Sequence, residues 1–301
     1  RIRNGAFNGE SAILLGCQIH SALRIALDIH SNRMSRKRYA DMFGMVYAWW
    51  KSVRPRIENE TIVDLGCGSI NPYGVLFLFL MLGARRGIAI DLDEIQEVQQ
   101  AVQALADCAA MMLIDPKGIV GDYSISRKQV LQNIASFDLG RLLTGDPSGI
   151  DGDRLCFRRE SVFSLSLTDG EADLVISNTF LEHVPRVEEA VVELARVTRK
   201  GGFGAHLIDG ADHRRYWDSN CHALKFLEES TSETLMHGSN RVRPREFITL
   251  FERHGFDIVE YIPFERIDVS PELRNQFIEP FRSMPLDSLG EIGTRLLVRK
   301  L

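Results

Sequence analysis

Between residues 10 and 55 apolar positions recur at helical spacing. The stretch "SAILLGCQIHSALRIALDI" shows it first. "SRKRYADMFGMVYAWWKSV" repeats it through Tyr39, Met42, Phe43, Met45, Trp49 and Trp50. No strand-like alternation interrupts this segment, and Pro55 ends it. From Thr61 the period changes. "TIVDLG" is a short unbroken apolar run before a glycine turn, which predicts a buried strand. "YGVLFLFLMLGA", Tyr73 to Ala84, predicts a buried helix, "RGIAIDLD" a second strand, and residues 94–112 a further helix. "RLCFRRES" and "ADLVISNT" read as strands, "RVEEAVVELARVTRK" as a helix, and "GGFGAHLID" as a strand after a glycine helix cap. "PREFITLFERHGF" is a helix with Pro244 in its first turn and Gly255 at its end. "DIVEYIPF" and "TRLLVRK" close the chain as strands.

Strands alternating with helices imply a parallel sheet covered on both faces. Two stretches break the rhythm. Residues 113–153 are rich in Gly, Pro and Asp around a helix expected at 126–143, and residues 210–243 are irregular. Both are expected as insertions over the carboxyl edge of the sheet or beside it. The boundaries expected are a helical segment at 1–55 and an α/β domain at 56–301.

Composition narrows the function. The chain has 301 residues, 45% apolar and 26% charged, enough for a large core. Its formal net charge of -5 argues against gripping nucleic acid, which needs a clustered surplus of Lys and Arg. Cys17, Cys67, Cys108, Cys156 and Cys221 form no CxxC pair, so reduced thiols and a cytoplasmic protein are expected, without a disulfide framework or zinc site. The longest apolar run is shorter than the about 20 residues a membrane helix needs. No signal-peptide pattern is read at the start, and a chain beginning with Arg1 suggests that a few residues precede it.

The chemistry starts at Gly66 and Gly68. A ligand that approaches the backbone at a strand-to-helix turn leaves no room for a Cβ. The dinucleotide fingerprint GxGxxG would put a third glycine where Asn71 stands. Asp91 ends the second strand, 23 residues after Gly68, where a carboxylate accepts both hydroxyls of a ribose. NAD and S-adenosylmethionine both carry such a ribose, so these residues alone leave the cofactor open.

Further along, "SVFSLSL", "TDGEADLVISNTFLEHV" and "LARVTRKGG" resemble the class I S-adenosylmethionine-dependent methyltransferases over about residues 60–209. That resemblance implies a Rossmann-like, doubly wound α/β fold. Its seven-stranded sheet is mostly parallel with an antiparallel last strand, and it carries an N-terminal helical cap and the two insertions. It implies S-adenosylmethionine as cofactor. Asp64, Gly66, Cys67 and Gly68 would face its methionine end, Asp91 the ribose, and Leu92, Ser161 and Val162 the adenine. Asn178 would lie near the sulfur, and Tyr39 over the donor's carboxylate. The departures are Ile70 for the third glycine of GxGxG, Ser161-Val162 for the usual Asp-Ala, and "TRKGG" without the family's proline.

A weakly acidic hydroxyl acceptor needs a base or a metal. "AHLIDGADHRRYW" gathers His206, Asp209, Asp212, His213, Arg214 and Arg215. Strand alternation separates His206 from Asp209, whereas Asp209, Asp212 and His213 can converge in the following loop. The same group suits a divalent metal, but no metal is expected here. His183 of "LEH" is read as ordering its loop and lying at the acceptor. "NRVRPREFITLFERHGF" is similar to a bacterial branch linked to saccharide and secondary-metabolite pathways. Its N-R-x-R places Arg241 and Arg243 at an anionic acceptor group, or in pairs with acids such as Glu246. "SNTF" lacks the [D/N]-P-P-aromatic pattern of nucleic-acid amino-methylation.

The expectation is therefore a biosynthetic O-methyltransferase of a small molecule, a glycosyl or secondary-metabolite intermediate. A homodimer is the assembly entertained, with neither nucleic acid nor membrane as partner. C- or N-methylation, an NAD(P)-dependent oxidoreductase and an inactive binding subunit are the alternatives.

Overall fold

Thr61–Leu65 forms β1, and every residue of it is buried. It lies inside the sheet, with a strand paired on each side, in a computed structural model that describes residues 36–230 and 239–301. The other strands are β2 (Arg86–Asp91), β3 (Leu155–Arg159), β4 (Ala172–Asn178), β5 (Thr198–Asp209), β6 (Phe256–Arg266) and β7 (Glu291–Lys300). Their order is β3-β2-β1-β4-β5-β7-β6. The pairs from β3 to β5 are parallel, while β7 runs antiparallel to both β5 and β6. The sequence implied this doubly wound α/β sheet with one antiparallel strand.

Alternation along β1 assigns its side chains to two cores. Ile62 joins the core under α1 (Arg36–Phe43, continued by a π-helical turn at Gly44–Ala48), α2 (Gly74–Met81), α3 (Val98–Ile114), α4 (Arg127–Asn133) and α5 (Leu139–Thr144). Val63 and Leu65 join the core under α6 (Val187–Val197) and α7 (Pro244–Arg253). Helix α2 is apolar all round because Leu76 through Met81 are all buried between the sheet and α3 and α4. No helix among the described residues is long and apolar enough to cross a membrane.

Three expectations change. The helix expected at 126–143 is two short helices, since Asp138 accepts the Arg141 N–H and starts a second one. The helix expected to reach Lys200 stops at Val197. There the Thr198 hydroxyl donates to the Leu194 carbonyl, and the backbone turns extended. Between β6 and β7, residues 267–290 form a segment of short helical turns that the sequence pattern did not set apart. Its Phe277, Phe281 and Leu289 pack on Ala211, Leu224, Phe226 and Leu227 in a third core. The helical pattern expected at residues 10–55 is observed from 36 to 48. Residues 1–35 and 231–238 lie outside the described residues.

Candidate active site

The site is built from the carboxyl ends of β1, β2, β4 and β5, where a parallel sheet leaves a crevice. β1 ends in a turn with Gly66 at φ 67° and Gly68 at φ 80°, a left-handed backbone that favours glycine. A Cβ on Gly66 would run into the Phe180 ring, whereas one on Gly68 would meet nothing within 4 Å. The Gly68 backbone is therefore bare toward the crevice. Asp91 fixes this turn, since its Oδ2 accepts the Gly68 N–H at 2.8 Å and its Oδ1 accepts the Asp93 N–H at 3.1 Å. Each oxygen keeps acceptor capacity.

Two cavities meet at Gly66. One, of about 200 Å³, is lined by Arg38, Tyr39, Asp64, Gly68, Asn71 and Asn178, among others. The second, of about 140 Å³, is lined by Asp91, Leu92, Ser161, Val162, Phe163 and Phe180, among others. Of the predicted donor residues, Tyr39, Asp64, Cys67, Gly68 and Asn178 line the first cavity and Asp91, Leu92, Ser161 and Val162 the second, with Gly66 shared by both. The Phe180 ring packs over Gly66 and lines the second cavity.

In the first cavity Asp64 is buried, and burial, with the charge of Asp91 beside it, raises its carboxyl to about 8. The Arg38 charge works the other way. Tyr39 is 1% exposed, and burial pushes its hydroxyl well above the ordinary range. The Asn178 amide points at the Met42 sulfur, 3.6 Å away. Cys67 is half-buried, and the loss of solvent around it raises its thiol. In the second cavity Leu92 is 63% exposed at the rim, and the Ser161 hydroxyl accepts the Phe163 N–H at 3.3 Å.

Next to the second cavity, which His183 also lines, the segments at and after the ends of β4 and β5 bring Glu182, His183, Asp209, His213 and Tyr216 together. His213 Nε2 lies 3.4 Å from Asp209 Oδ2. The Tyr216 hydroxyl donates to the same oxygen at 2.6 Å, and the Ala211 N–H donates to Oδ1 at 2.9 Å. Burial opposes ionisation of Asp209, but His213, Tyr216 and the Ala211 N–H outweigh it and hold its carboxyl below the usual range. The His183 ring meets the His213 ring edge to face at 4.8 Å. Glu182, 1% exposed, accepts the Asp209 N–H at 3.1 Å, and burial raises its carboxyl to about 8.

Other predicted residues are employed elsewhere. Asp212 does not join Asp209 and His213, because it caps the next turn and both its oxygens accept from Arg214. Arg243 does not face an acceptor. It is fully buried and donates to the carbonyls of Gly210, Leu289 and Glu291 at 2.6, 3.1 and 2.8 Å. Arg241 donates to the Glu229 carbonyl at 2.8 Å and lies over the Phe281 ring. His206 is buried, bonded through Nδ1 to the Ser177 hydroxyl at 2.8 Å, and burial lowers its imidazole to about 3. Sequence reading missed Arg38, Met42, Phe180 and Glu182. Glu182 was visible in "LEH", but its aim toward β5 was not.

The sequence profile of the family described as "Methyltransferase domain" matches residues 143–205, from the end of α5 through most of β5. No curated protein matches the sequence. Among solved structures, an S-adenosylmethionine-dependent methyltransferase from Mesorhizobium loti is 15% identical. The alignment covers 84% of this chain and 94% of that one at a TM-score of 0.45. A protein from Listeria monocytogenes assigned to the same class is 15% identical, over 83% and 94%, at 0.46. Geranyl diphosphate C-methyltransferase from Streptomyces coelicolor is 12% identical, over 88% and 78%, at 0.45. Superpositions this loose carry no argument about the reaction. The profile match and the sheet topology support an S-adenosylmethionine-dependent methyltransferase.

Proposed function

We propose that the protein transfers a methyl group from S-adenosylmethionine to a hydroxyl of a small-molecule acceptor. The observation that carries this reading is the pair of cavities meeting at Gly66 beside the bare Gly68 backbone, with Asp64 lining one and Asp91 the other. Asp91 and the Gly68 backbone fit a ribose, and Leu92, Ser161, Val162 and Phe163 fit an adenine. Asp64 fits an ammonium group, and Arg38 with Tyr39 fits a carboxylate.

The donor supplies a methyl on a positively charged sulfur, which needs no further activation. The chain's task is to align the acceptor, exclude water and accept a proton. Helix α1 closes the methionine side with Tyr39 and Met42. The cluster of Glu182, His183, Asp209 and His213 lies at the neighbouring strand ends, where an acceptor hydroxyl would lose its proton. Tyr216, 61% exposed and bonded to Asp209, offers a ring beside the cluster, which suits a sugar ring or another ring-bearing intermediate.

Calorimetry tests the donor site. S-adenosylhomocysteine is expected to bind, NADP to give no heat, and Asp91→Ala to lose detectable binding. Binding of NADP instead, or unchanged S-adenosylhomocysteine affinity in Asp91→Ala, overturns the assignment. Labelled S-adenosylmethionine with a panel of polyhydroxylated small molecules then tests the acceptor class.

A further inference from the structure

We propose that Glu182, His183 and His213 hold one divalent cation of the zinc, manganese or cobalt type, which binds and acidifies the acceptor hydroxyl. The inference deepens the reading above and rests on it. Each residue offers one ligand atom, and these atoms lie within 4.8 Å of one another. Ligands at about 2.0–2.2 Å from one ion need only a small closure from there.

A second observation is independent of that spacing. Glu182 is buried, and one of its oxygens accepts the Asp209 N–H. The other, Oε2, is buried with no hydrogen-bond partner. A buried carboxylate oxygen without a donor is costly, and a cation beside it removes that cost. Around His213 the support resembles that of a ligating imidazole. Asp209 stands 3.4 Å from Nε2 and is itself held by Tyr216 and the Ala211 N–H.

Two imidazoles and one carboxylate favour first-row transition metals over magnesium or calcium. Three protein ligands leave positions for the acceptor, and an acceptor with two neighbouring oxygens, a vicinal diol for instance, would fill two of them. A hydroxyl held there would lose its proton to solvent water. Its oxygen then forms the new O–CH₃ bond with its own electron pair, and the S–CH₃ pair returns to sulfur, leaving S-adenosylhomocysteine.

The test uses chelator-treated whole protein titrated with Co²⁺, followed by visible absorption and calorimetry. One Co²⁺ per chain is expected in the wild type. His183 is exposed, so His183→Ala should keep the fold while weakening Co²⁺ affinity at least about tenfold. His213→Ala should do the same. His222→Ala should leave binding unchanged, because that imidazole pairs with Glu228 elsewhere. No Co²⁺ uptake by the wild type, or equal uptake in His183→Ala, overturns the proposal. S-adenosylhomocysteine binding is measured on the same samples. Donor binding without Co²⁺ uptake removes the cation and leaves the methyltransferase reading. Co²⁺ uptake without donor binding leaves the cation site and removes that reading.

Discussion

Asp64 shows how one side chain can couple donor binding to pH. Its carboxyl is raised to about 8 by burial, so the free protein holds it neutral at pH 7. The folded chain keeps a proton that the unfolded chain releases near pH 4. The stability from this group is therefore full at low pH and is lost as pH rises to about 8. An ammonium group seated beside Asp64 favours the ionised form. Donor affinity is thus expected to rise with pH up to about 8, by as much as about tenfold per unit, with a proton released on binding at pH 7. Calorimetry in two buffers of different ionisation heat measures that proton. It should vanish in Asp64→Asn, and equal heats in both buffers for the wild type would refute the coupling. The acid itself was legible in "TIVDLG", but its neutral state was not. That depends on Asp91 and on the burial supplied by α1, which neighbouring residues in sequence do not reveal.

At the scale of elements, the turn after β4 supplies both a cavity wall and part of the ionisable cluster. Thr179 follows Asn178 with φ at 50°, a conformation a β-branched residue rarely adopts. Its N–H donates to the Leu207 carbonyl, and the turn after it delivers Phe180 to Gly66 and Glu182 to Asp209. Thr179→Asn should relieve strain and stabilise the protein by about 1 kcal/mol, read as a higher midpoint in urea. An unchanged or lower midpoint would show that the turn is not strained. The strand itself was plain from "ADLVISNT". The turn was not, because left-handed backbone at a threonine has no local signal. The misjudged end of α6 has a similar origin. "TRKGG" suggests a glycine cap, yet Thr198 closes the helix earlier by bonding back to Leu194.

For the whole molecule, Arg243 joins segments far apart in the chain. Its guanidinium ties the start of α7 to Gly210, Leu289 and Glu291, and so fastens the third core to the end of β5 that carries Asp209. Arg243→Met would strand three carbonyls. The loss expected is about 3 kcal/mol or more in urea unfolding, with early proteolysis near residues 211–228 and 267–290. A stability change below about 1 kcal/mol would mean the carbonyls find other donors. The N-R-x-R pattern flagged this residue correctly as special and placed it wrongly. An arginine beside a polar loop reads as a ligand-binding residue until the fold shows that loop closing over it.

The sequence by itself determined the sheet, its helical cover and the glycine turn with its strand-end acid, because apolar periodicity and glycine act over a few neighbouring residues. Tertiary structure alone decided which ionisable groups meet. Glu182 and His183 lie about thirty positions before His213, and only the parallel pairing of β4 with β5 brings them together. It also turned Asp212 and Arg243 away from the site, since the partners that engage them come from folded loops and not from the local pattern.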